Sequence, residues 1–219
     1  MLPLTINPML AVKAEVPFDS EQHLFEVKWD GIRCLAFVES GRVRLQSRHS
    51  TEMTFQFPEL AGLARLPSGT VLDGELVIFQ DDKPSLAGIQ RRALLQNRPR
   101  IQHLSQITPA TYMVFDLPFL GNRPLMAAPL STRREALIKL YEQFPLPRFL
   151  LSDGVSRCGC RLFAQVVRFG LEGMMAKRLD APYLPGKRSR HWLKIKPKPA
   201  PANPLRRSAF LAELNDEHK

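Results

Sequence analysis

The sequence predicts an α+β fold, built mainly from antiparallel sheets with flanking helices. Three observations carry this. Short stretches of alternating apolar and polar residues recur along the chain. Two of them are joined by a tight hairpin turn rather than a crossover helix. Helical patterns come singly among the strands, which argues against a doubly wound α/β arrangement. With 219 residues, 44% of them hydrophobic, the chain can bury a core in one large domain or two small ones.

Taken in order, "FEVKWD" alternates as a half-buried strand with Lys28 on its polar face. "CLAFVESGRVRLQSR" reads as a hairpin turning near Ser40-Gly41. "TVLDGELVIF" is apolar on both flanks of Asp73-Gly74-Glu75, the pattern of a central strand interrupted by acids. A helix is predicted from Ser85 through "SLAGIQRRALLQ", with Gly88 inside it. "TYMVFDLPFL" is a dense apolar strand that Pro118 should end or kink soon after Asp116. "STRREALIKLYEQF" carries a capping box, Thr132 with Glu135, that opens a helix there. "CRLFAQVVRFG" is helical with Gly170 as its stop. "EGMMAKR" and "HWLKIK" read as two further strands. Residues 1–197 form the expected domain. Residues 198–219 are a proline-rich connector, "PKPAPANP", and a short tail of basic and acidic residues, too few for another domain.

Several classes fall away. No run of about 18 apolar residues marks a membrane span, and "MLPLTINPML" lacks the features of a signal peptide, so a cytoplasmic location is expected. Cys34, Cys158 and Cys160 make neither a disulfide framework nor a four-ligand zinc site, and the five histidines lack ligand spacing. Charge is more informative. Lys and Arg number 31 against 21 Asp and Glu, a formal +10, which favours a polyanionic partner such as nucleic acid. From Ala181 to Ala212 there are eight basic residues and no acidic one.

Within "EVKWDGIR", Lys28 is either a solvated strand end or a nucleophile whose neighbours hold phosphate. What favours the second reading is a set of polar residues at strand ends: "KWDGIR", Ser47-Arg48, "DGE" at 73–75, "VFDL" at 114–117, "EGMMAKR" and "WLKIK". In that order, and with "PMLA" upstream, they resemble the covalent nucleotidyltransferases, specifically the adenylation domain of ATP-dependent DNA ligases. The resemblance runs from about Pro8 to Pro197. "PYLPGKRSRHWLKIKP" looks most like the ligase modules of bacterial end-joining proteins.

The resemblance implies roles by position. Lys28 would attack the α-phosphate of ATP to give a lysyl-AMP. Glu26 would contact the adenine amino group and Phe115 would stack on the ring. Arg33 and Glu75 would hold the ribose or its surroundings, Arg48 and Arg188 would contact phosphates, and Lys194 and Lys196 would bind the α-phosphate. Glu172, with Glu75 or Asp30, would hold Mg2+ or Mn2+. Trp192 reads as packing. Only a neutral amine is a nucleophile, and cations placed beside one disfavour its ammonium form. The same cations stabilise phosphoryl oxygens during in-line displacement.

Nicked double-stranded DNA is the implied partner, in repair or recombination, with a monomer expected. Such ligases normally continue into an oligonucleotide-binding barrel, which residues 198–219 are too short to form. Either the chain is a piece of a longer protein or it is a minimal adenylation domain, to which a DNA-binding or end-joining partner would supply the missing clamp. Two rivals stand beside this reading: an RNA ligase or capping-type nucleotidyltransferase, and a non-catalytic DNA-binding relic.

Overall fold

The computed structural model describes residues 2–198. The first strands are β1 (Leu10–Lys13), β2 (His23–Val27), β3 (Ile32–Glu39), β4 (Arg42–Ser47), β5 (Thr70–Val77), β6 (Phe79–Gln80) and β7 (Lys83–Pro84). Helices α1 (Leu86–Ala93) and α2 (Arg98–Ile107) follow, then β8 (Thr111–Leu120), β9 (Arg123–Pro124) and α3 (Leu130–Gln143). The chain continues through β10 (Phe149–Leu151), β11 (Gly154–Ser156), α4 (Gly159–Arg168), β12 (Met174–Arg178) and β13 (Arg188–Ile195).

The α+β class holds. One sheet runs β1-β13-β12-β2-β11 and a second runs β10-β8-β5-β3-β4, with β9 on β8 and a separate β6-β7 hairpin. Pairing is antiparallel except for β1 with β13 and β10 with β8. Alternation along β3 sets the layers. Cys34, Ala36 and Val38 join an outer cluster with Ile89 of α1 and Leu137 and Leu140 of α3. Leu35 and Phe37 turn the other way and meet Met9, Val71, Phe115 and Trp192 between the sheets. Because both faces of β3 are covered, its apolar run is continuous. Behind the first sheet, Phe25, Met174, Ala176 and Ile195 pack on Val166, Leu162 and Phe163 of α4. Each fully buried side chain of this size contributes about 1.5–3 kcal/mol.

The predicted hairpin turns where expected, with Ser40 at φ 51° and Gly41 at φ 70°, the left-handed pair a two-residue turn requires. Ser85 caps α1 by accepting from the Gly88 amide at 3.1 Å. Gly170 lies just past α4 at φ 64°.

Three expectations are corrected. Helix α3 does not start at Thr132; it begins at Leu130 after Pro129, with no side-chain cap. The amides of Leu130 and Ser131 instead donate to the carbonyls of Ala181 and Leu179, both at 2.9 Å. Tertiary carbonyls satisfy the free donors that a capping residue would otherwise serve. Pro118 does not end its strand, because β8 runs to Leu120. The β5–β8 register slips between Val71 and Asp73, opposite Phe119 and Asp116, and a bulge tolerates a residue with no amide to donate. Lys28 is not on a strand face; β2 stops at Val27 and Lys28 follows it. Apart from Lys198, the expected connector and tail lie outside the described residues.

Candidate active site

Two close backbone approaches fix the Lys28 segment. The Lys28 amide donates to the Gly173 carbonyl at 2.9 Å, which clamps the end of β2 to the start of β12. A Cβ on Gly173 would lie 2.4 Å from the Ile195 carbonyl oxygen, and one on Gly31 would lie 2.2 Å from that of Leu76. Only glycine fits at either place. The clamp sets Lys28 beside Glu172, the residue before Gly173. Lys28 Nζ donates to Glu172 Oε2, and Lys196 Nζ lies 2.6 Å from Oε1.

A pocket of about 210 Å³ opens between the sheets, lined by Glu26, Lys28, Trp29, Met175, Lys177, Arg188, Trp192 and Lys194 from the first sheet and the turn after β2. Arg33, Glu75, Phe115 and Arg48 line it from the second sheet. At one end Phe115 is backed by the edge of Trp192, with centroids 6.1 Å apart. Trp192 packs as expected, 1% exposed, and is also part of the wall. Glu26 is buried, in ion-pair contact with Lys177 Nζ through Oε2, while Oε1 stands 3.4 Å from Arg134 Nη1. Lys177 Nζ also sits 3.9 Å from the Phe115 ring centroid. Burial pulls this ammonium below the usual lysine range, and Glu26 opposes the shift. Five buried side-chain polar atoms among the described residues lack a hydrogen-bond partner. Four of them belong to Glu26, Lys177, Arg134 and Trp192, at this end of the pocket. Such a concentration marks a place built for a polar ligand.

Arg33, expected at the ribose or its surroundings, lines the pocket and is held by a buried carboxylate. Its Nε and Nη2 form a two-point pair with Asp73, both at 2.5 Å, and Tyr183 donates to Asp73 Oδ2 at 2.6 Å. The guanidinium lies 4.4 Å from the Phe115 centroid, so it serves the pocket wall rather than projecting free.

At the other end the cations gather. Lys194 is held below the usual lysine range by burial and then by Arg188, Lys196, Lys28 and Arg48, in that order. Arg188 is steadied by donating to the Ala11 carbonyl, and exposed Arg48 stands just beyond β4. Arg188, Lys196, Lys28 and Arg48 therefore lie around the Lys194 amine.

The expected metal holders are Glu172 with Glu75 or Asp30, and no group of three metal-binding side chains occurs among the described residues. Burial and the neighbouring Glu172 carboxylate push Asp30 up from the ordinary range. Two hard-oxygen donors that repel one another suit a divalent cation, and magnesium needs only one or two carboxylates when phosphates supply the rest. Burial raises Glu75 to about 7, against the pull of Arg33 and Lys28, and the Asp73 and Glu172 carboxylates add to the rise.

Lys177, in the pocket wall, and Arg134, beside Glu26, are the residues around the site that sequence reasoning missed. A signal existed for Lys177. Met174 and Ala176 face α4, so period two puts Met175 and Lys177 on the pocket side. Nothing in the sequence marks Arg134, which reaches Glu26 from α3.

A family model described as ATP dependent DNA ligase domain matches residues 8–196. The chain belongs to this family. It is 37% identical to DNA ligase C1 of Mycolicibacterium smegmatis, covering 84% of this chain and 54% of that protein. It is 34% identical to the multifunctional non-homologous end joining DNA repair protein LigD of Mycobacterium tuberculosis, over 87% of this chain and 24% of LigD. Among solved structures, the ligase domain from M. tuberculosis LigD superposes with a TM-score of 0.74 at 32% identity, over 87% of this chain and 59% of that one. A mycobacterial DNA ligase D complexed with ATP and MES gives 0.72 at 32% identity, over 87% and 60%. This ligase domain thus spans about half of C1, a quarter of LigD and three-fifths of the solved chains. No helix among its described residues is long and apolar enough to cross a membrane.

Proposed function

We propose that this ligase domain takes AMP from ATP onto Lys28 and passes it to a 5′-phosphate of nicked duplex DNA. The observation that carries this is the contact of Lys28 Nζ with Glu172, beside a pocket with an aromatic platform at one end and clustered cations at the other. Phe115 offers its face to the adenine and Glu26 accepts from the amino group. Lys194, Lys196, Arg188 and Arg48 surround the triphosphate. Nζ attacks the α-phosphorus, the bond to pyrophosphate breaks, and the lysine proton passes to Glu172, the carboxylate in contact with it. A 5′-phosphate oxygen then displaces the lysine, which recovers a proton. Attack by the 3′-hydroxyl releases AMP and joins the strands. Glu172 and Asp30 would hold a divalent cation, which when bound neutralises phosphate charge. The sequence relatives make bacterial end joining the favoured setting.

Intact-mass measurement after incubation with ATP and magnesium tests this. A gain of one adenylyl group is expected, lost in Lys28→Ala and discharged by nicked duplex. A gain that persists in Lys28→Ala rejects the assignment, and its absence from the wild type under every metal condition rejects the chemistry.

A further inference from the structure

We infer that Arg134, which is not part of the pocket wall, is a positioning residue that holds both flanks of Lys28 and sets recognition of the nucleobase. Its side chain comes from α3 and is 9% exposed. Nη2 donates to the Ser152 carbonyl, and the Ser152 hydroxyl accepts from Trp29 Nε1 at 3.0 Å. Nη1 stands 3.4 Å from Glu26 Oε1. Glu26 and Trp29 are the residues two before and one after Lys28. The Ser152 amide also donates to the Val114 carbonyl at 2.8 Å, next to Phe115. One side chain therefore ties the base-reading carboxylate, the tryptophan beside the nucleophile and the strand carrying the aromatic platform.

The unfinished bonding gives this arrangement its direction. Glu26 is 1% exposed and Oε1 makes no hydrogen bond, although Nη1 of Arg134, equally unpartnered, stands 3.4 Å from it. A buried carboxylate held between Arg134 and Lys177 remains an acceptor. Its free lone pairs suit a donor on the ligand, and the exocyclic amino group of adenine is such a donor. Removing Arg134 leaves Glu26 with Lys177 alone and frees it to turn away.

This rests on the adenylation reading above, and the test separates the two. Lysyl-AMP formation is followed by intact mass against concentration of ATP and of purine riboside triphosphate, which lacks the 6-amino group. The wild type should favour ATP by roughly tenfold, as expected for one hydrogen bond to a charged group. Arg134→Met should raise the half-saturating ATP concentration roughly tenfold, with a smaller effect on the maximal rate. Its preference between the two nucleotides should fall close to one. Arg134→Lys, which keeps the charge without the fork, should lie between. A purely structural role would weaken both nucleotides alike, and an unchanged preference in Arg134→Met overturns the inference while leaving adenylation intact. Should Arg134→Met fail to fold, Arg134→Lys decides by the same ratio: full wild-type preference overturns the inference. No preference in the wild type also overturns it, whereas no adenylation of the wild type by either nucleotide removes the underlying reading.

Discussion

Gly31→Ala is the substitution that most directly tests how the Lys28 segment is held. The new Cβ would stand 2.2 Å from the Leu76 carbonyl oxygen and 2.9 Å from Glu75 Cγ, and real Cβ contacts essentially never fall below 3.0 Å. The Glu75 contact can relax by side-chain rotation, but Leu76 is paired with strands on both sides and its oxygen is backbone. The start of β3 must therefore move by about 0.8 Å, the difference between 2.2 Å and 3.0 Å. Overpacking of this kind costs about 1–3 kcal/mol, which lowers the melting temperature by roughly 2–12 °C in a domain this long. Displacing a reacting group by about 1 Å costs on the order of 100-fold in rate, and Gly31 is three residues from Lys28. Thermal melting and the rate of lysyl-AMP formation at saturating ATP measure the two effects. The expected signature is a rate loss far larger than the small fraction unfolded explains. A variant that melts and reacts like the wild type would refute the claim that this close approach positions the amine.

Two further outcomes follow from buried charge. Arg133 is fully buried and pairs with Asp116 at 2.7 and 2.8 Å; Arg133→Met leaves that carboxylate uncompensated and should destabilise the fold by about 3–5 kcal/mol, read by chemical denaturation. Glu75 has a folded-state value of about 7 against an ordinary 4.5. The native state thus holds the proton more tightly, so this group's contribution is present below about pH 4.5 and is lost as pH rises through 7. Glu75→Gln should gain on the wild type by roughly 1–3 kcal/mol between pH 5 and pH 8, and parallel stability curves for the two would refute the assignment.

Much of this was legible in the sequence because side-chain periodicity and turn chemistry are local. The Ser40-Gly41 hairpin, the Ser85 cap and the strand pairs around "EGMMAKR" and "HWLKIK" followed from residues within a few positions of one another. What was not legible depends on distant partners. Thr132 looked like a helix cap until the Leu179 and Ala181 carbonyls supplied the bonds instead. Pro118 looked like the end or a kink of its strand; the strand runs on past it, with a register slip in β5 opposite. Helix α2 was missed although Asn97 caps it, its side chain accepting from the Arg100 amide at 2.9 Å, with Pro99 in the first turn. At the site, motif order pointed to Lys28, Glu172 and the cations now seen around one pocket. The pairing of Arg33 with Asp73 joins positions 40 residues apart, and that of Glu26 with Lys177 spans the two ends of the domain. No spacing rule reaches that far.

Strand β1 lies parallel to β13, and Leu10, Ala11, Arg188, Trp192 and Lys194 from this pair all border the pocket. Strand β1 therefore waits for a strand made much later in the chain before its edge is covered. The nascent chain can bury the outer cluster early, yet the pocket between the sheets is incomplete until β13 has been made. Truncations that remove the final strand should abolish ATP binding altogether rather than weaken it by degrees.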